Sequence, residues 1–184
     1  MAAYHVVLVH FPIALWLASA LLIFLRVVND GPVGQAADRA LPVFLVLGFV
    51  LGAVAWLIGT QVWDWPALSG TPMGRNHMLT ATWSLAYFTL LMITRLMQGD
   101  ALWHGMARWV MLVLSGVGVV LVGVTGTLGG HLVGNYTQVG EVLRLLGWEI
   151  YTTYYVPNIT VALLIGLGLV MAVLGVLARR PASN

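Results

Sequence analysis

Five stretches of this chain are long and apolar enough to cross a lipid bilayer, and little polar sequence is left between them. They run near residues 6–28, 41–62, 78–97, 106–128 and 159–178. A hydrocarbon core about 30 Å thick takes about 20 apolar residues of helix. Inside lipid the backbone must satisfy its own hydrogen bonds, so runs of this length fold as helices. Breakers separate them: Asn29-Asp30-Gly31-Pro32, the stretch from Pro66 to Gly74, Gly99-Asp100, and Pro157-Asn158. The expectation is an all-α membrane protein with five transmembrane helices, a four-helix up-down bundle plus one. Residues 1–184 would form a single transmembrane domain, with no internal repeat apparent.

Composition agrees. Charged residues make up 8% of the 184 positions, against roughly 25% in soluble domains, and the mean hydropathy is +0.95. Cysteine is absent, which removes disulfides, iron–sulfur clusters and thiolate metal sites. The net charge of +2 is too small and too dispersed for a nucleic-acid surface. No basic residue precedes the first apolar run, so that run reads as a retained helix rather than a cleaved signal.

Counting helix ends assigns every loop to a side. Arg26, Arg39, Arg95, Arg108, Arg179 and Arg180 fall opposite the N-terminus, whereas Arg75 and Arg144 share its side. The arginine-rich side normally faces the cytoplasm. The N-terminus is therefore expected outside and the C-terminus in the cytoplasm, in a bacterial inner membrane. The segment 132–157 lies on the outer side. In it Val142, Leu145, Leu146, Ile150 and Tyr154 recur near helical spacing, which predicts an interfacial amphipathic helix between the fourth and fifth spans. Trp148, Tyr151, Tyr154 and Tyr155 would join an aromatic belt there.

The same count gathers four of the five histidines on the outer side: His5 and His10 open the first span, His77 opens the third, and His131 closes the fourth. His104 alone lies opposite. Ionisable residues bordering membrane helices are costly and usually functional. Neutral imidazole ligates metals, and two imidazoles from different helices ligate b-type haem. His10 is the first choice as axial ligand, with His77 and His131 competing for the second position. His5 and His10, five residues apart, differ by about 140° around a helix and so should point different ways. A copper or zinc site from three of these histidines is the alternative, with Asp64 or Glu141 as ligand or supporting partner. Each histidine could also be a plain interfacial residue. Arg75, beside His77, could pair with Asp64 or anchor a haem propionate. Asp64, in Trp63-Asp64-Trp65-Pro66, is expected at the end of the second helix and could accept an imidazole N–H. Glycines on the second and fourth helices (Gly48, Gly52, Gly59; Gly116, Gly118, Gly123, Gly126, Gly129, Gly130) allow close helix contact, and those on the fourth could leave a slot for a flat ring.

The opening His5-x-x-x-x-His10-Phe11-Pro12-Ile13-Ala14-Leu15 resembles the signature of a bacterial membrane family, domain of unknown function 2231. The resemblance continues through Asp64-Trp65, Asn76-His77 and Gly126-x-Leu128-Gly129-Gly130-His131, over roughly residues 5–140. It implies a four-helix core with an added helix. By analogy it suggests a cytochrome b-like membrane redox protein. The expected function is a haem b electron-transfer subunit near the periplasmic face. Its partners would be the lipid bilayer, a quinone or periplasmic redox protein, and a larger membrane complex. A non-catalytic accessory subunit of such a complex is the alternative from another class. Without a nucleotide-binding loop or a nucleophile–base pair, a stand-alone enzyme is not expected.

Overall fold

A computed structural model of the chain describes residues 2–62, 64–154 and 156–178. The Arg179-Arg180 tail, Trp63 and Tyr155 lie outside the described residues. The described residues form helices joined by short turns: α1 (Ala2–Val28), α2 (Pro32–Gly59), α3 (Trp65–Ser69), α4 (Pro72–Gln98), α5 (Ala107–Leu132), α6 (Gln138–Leu145) and α7 (Asn158–Ala178). A 3-10 turn, Gly99–Trp103, links α4 to α5. Against the five spans expected, three of the described helices, α1, α2 and α5, are long and apolar enough to cross a membrane; α4, over the expected third span, is not among them, and Asn158–Leu174 of α7 is a shorter apolar run.

Several boundaries differ from the sequence expectation. The second helix starts at Pro32, about two turns before the apolar run, because proline suits the first helical turn. It ends at Gly59, so Asp64 does not close it. Instead Asp64 occupies the N-cap position of the short α3. The interfacial helix is also shorter than expected. Gly147 takes φ +81°, Trp148 N–H donates to the Leu143 carbonyl and Gly147 N–H to that of Arg144. This glycine-terminated cap ends α6 and leaves Ile150 and Tyr154 outside it.

Helices α1, α2, α4 and α5 pack in that cyclic order, so α1 and α4 stand diagonally across the bundle. The α1–α2 and α4–α5 hairpins are laid out alike. His5 and Trp16 of α1 are each matched 72 residues later by His77 and Phe88 of α4, and Gly48 and Gly59 of α2 are each matched 70 residues later by Gly118 and Gly129 of α5. The buried positions follow the same offsets: Pro12 with Ser84, Ser19 with Leu91, Leu41 with Met111, Leu45 with Ser115. A two-fold axis along the bundle relates the halves. This is an internal repeat in packing, with only a few residue identities kept between the halves.

On that axis Trp16 stacks on Phe88, centroids 4.9 Å apart and planes 9° from parallel. Each ring is seated on a glycine of its own hairpin. A Cβ on Gly48 would come within 2.7 Å of Trp16, and one on Gly118 within 2.9 Å of Phe88. Helix association in lipid relies on such close packing rather than on expulsion of water. Gly118→Ala should therefore cost about 1–3 kcal/mol through overpacking, read as a lowered unfolding midpoint of the protein in detergent.

The bundle end far from the histidines is tied by charge. Arg95 Nε donates to Asp38 Oδ1 at 2.9 Å, and Trp103 Nε1 donates to the same oxygen at 2.7 Å. Arg26 and Arg108 both reach Asp30, and the hydrogen bond from Arg26 leads in holding the Asp30 carboxyl below its usual range. The guanidiniums of Arg26 and Arg95 lie over the Trp103 ring at 5.6 and 5.9 Å, within cation–π range.

Candidate functional site

At the other end, the N-termini of α1 and α4 meet the C-termini of α2 and α5 around a cavity of about 330 Å³. His5, His10 and His77 all line it. Small residues widen it (Gly52, Ala55, Ala81, Gly126, Gly129), and Trp16 bounds its inner end.

His5 and His77 are held in the same way. His5 Nδ1 bonds the Ala55 carbonyl of α2 at 3.0 Å, and His77 Nδ1 bonds the Thr125 carbonyl of α5 at 3.1 Å. A carbonyl only accepts, so each Nδ1 carries the proton and each Nε2 presents a lone pair. Neither Nε2 has a protein hydrogen-bond partner among the described residues. Four residues past each carbonyl a glycine supports the ring: a Cβ on Gly59 would lie 2.7 Å from His5 Cε1, and one on Gly129 2.8 Å from His77 Cε1. Main-chain anchoring of this kind fixes ring orientation and raises ligand basicity.

The other expected site residues are placed differently. His10 is exposed, and its Nδ1 donates to the carbonyl of Val6 in its own helix at 2.6 Å. His5 and His10 nevertheless border one cavity, because its wall follows α1 from Ala2 to Trp16. His131 turns away from the cavity toward α6. Its Nδ1 is 3.1 Å from the Tyr151 hydroxyl, it meets the Tyr136 ring edge-on, and its Nε2 is buried against Gly140 without a partner. Tyr151 is held above the usual phenol range, chiefly by its hydrogen bond with Tyr136, and stays neutral. Asp64 is exposed, and the Nδ1 atoms of His5, His10 and His77 go to carbonyls rather than to its carboxylate. Arg75 is exposed in the first turn of α4, outside the cavity lining. Arg144 pairs with Glu141 at 2.8 Å. Among the described residues no group of three or more His, Cys, Asp or Glu side chains is placed to hold a metal ion.

Sequence reasoning passed over two parts of this site. The carbonyls of Ala55 and Thr125 carry no side-chain signal. Gly59 reads from sequence as a packing glycine and Gly129 as packing or slot, and what they seat depends on how the helices rotate. The model of a family described as predicted membrane protein, DUF2231, matches residues 2–141. The chain belongs to this family. The matched region spans α1 to α5 and so contains both anchored imidazoles and the cavity between them. Comparisons with curated proteins and with solved structures gave no match to this DUF2231 member.

Proposed function

We propose that this membrane protein binds one b-type haem in the cavity for electron transfer, and that the Nε2 atoms of His5 and His77 would hold it. The observation that carries the reading is the two-fold pair of imidazoles. Each has its tautomer set by a carbonyl, each is backed by a glycine, and both line one largely apolar cavity. A flat macrocycle with one ligating position on each face matches a site built twice about an axis. Bound haem supplies reversible one-electron chemistry at iron. The protein's part is to orient two neutral Nε2 atoms, to close the inner end with Trp16 and Phe88, and to exclude water. Arg75 is the cation at this end assigned to a propionate. A copper or zinc site from three of His5, His10, His77 and His131 is less well supported, since His131 faces away and His10 is bonded within its own turn.

The reading takes α1, α2, α4, α5 and α7 as five spans. The histidine end faces outward, by the arginine distribution, and the membrane is the bacterial inner membrane. Electron partners would be a membrane quinone or a periplasmic redox protein, within a larger complex or alone. A reduced-minus-oxidised spectrum of the purified protein tests this. A b-type band at about one haem per chain is expected. No band would leave the accessory-subunit reading in its place.

A further inference from the structure

One departure of the two halves from their symmetry removes an aromatic ring from the cavity wall. In the α2–α4 seam Trp56, itself exposed and lining the cavity, ties the two helices together, its Nε1 donating to Thr82 Oγ1 at 3.0 Å. The same offsets carry Trp56 to Gly126 and Thr82 to His10 in the α1–α5 seam. There the aromatic ring is missing: among the described residues, nothing beyond the surrounding turns of α5 itself lies within 4 Å of where a Gly126 side chain would begin. The hydroxyl acceptor has become an imidazole acceptor. Gly126 and His10 are both exposed and both line the cavity, so this seam opens the site sideways, toward the bilayer. The His10 Nδ1 proton is committed to the Val6 carbonyl, which leaves Nε2 as an acceptor at the edge of the opening.

We infer that the α1–α5 seam is a binding site for the hydroxylated aromatic headgroup of a lipid-soluble quinol, which takes the place Trp56 holds in the other half and donates an O–H to His10 Nε2. The occupant's chemistry is read from its counterpart: a flat ring, largely apolar, with one donor at its edge. Val9 and Ile13 supply apolar wall beside His10. What the quinol's electrons do rests on the haem reading, but its binding does not.

The test is calorimetric titration of the full chain in detergent, kept reduced with ascorbate, using duroquinol and its bis-O-methyl ether as probes. Duroquinol should bind saturably and about tenfold more tightly than the ether, which has no O–H to donate. His10→Phe should remove that preference. Gly126→Leu, which fills the gap, should weaken both probes by a similar factor, and Gly126→Ala serves if the leucine variant does not fold. The inference is overturned if the wild type shows no saturable binding. It is equally overturned if duroquinol and the ether bind alike, or if His10→Phe and the Gly126 variant both bind as the wild type does. A haem-free preparation with His10-dependent binding would end the haem reading and keep this one. A haem-loaded preparation that does not bind would do the reverse.

Discussion

His77→Ala should leave the protein folded and strip it of haem, with affinity reduced roughly a hundredfold or more, beyond the tenfold-to-hundredfold typical of losing a supporting partner. His5→Ala should do the same, because the two imidazoles occupy equivalent positions and neither has a substitute at its own place on the axis. His10→Ala should keep full haem, since His10 Nδ1 is tied to Val6 and the residue is exposed at the seam. His131→Ala should also keep it, because that ring contacts Tyr136 and Tyr151 rather than the cavity. Haem-to-protein ratios in the four variants, purified side by side, check the set. Equal loss in all four would mean that the histidines act on folding rather than on ligation.

Asp38→Ala should give the largest loss of stability of any single change at the other end. Its carboxylate is the shared acceptor for Arg95 and Trp103, and the Asp38 and Arg95 side chains are only 13% and 11% exposed. Removing the acid leaves a guanidinium and an indole N–H in an apolar surround. Breaking a buried pair from one side costs about 3–5 kcal/mol. Asp30→Ala makes the contrast. That side chain is 70% exposed although it contacts two arginines, and exposed pairs contribute under about 1 kcal/mol. Thermal unfolding in one detergent should therefore separate the variants clearly. Similar midpoints would show that the buried pair does not hold this end together.

The sequence made the helices legible because hydrophobic length alone selects them, and the histidine grouping followed from counting helix ends. It favoured His10 over His5 as a ligand, whereas the proposed site rests on His5, and the reason for the difference is physical. They lie about 140° apart on α1, and the rotation of α1 is set by Trp16 seated on Gly48 and Gly52 of another helix. Periodicity carries no such interhelical register. The repeat was hidden because few residue identities are kept between the halves, although buried positions recur at the same offsets. Trp16 answers Phe88 and Leu45 answers Ser115, so packing roles match where letters do not. The Asp38–Arg95 pair carried no sequence signal, since Asp38 precedes the apolar run of its helix and its partner lies 57 residues away.

Low-temperature electron paramagnetic resonance of the oxidised wild-type protein tests most directly whether one imidazole from each hairpin grips a single haem. The account predicts a low-spin ferric signal of the bis-imidazole type, converted to high spin or lost in both His5→Ala and His77→Ala and unchanged in His10→Ala. A spectrum without ferric haem, or a low-spin signal that survives in both His5→Ala and His77→Ala, would contradict it.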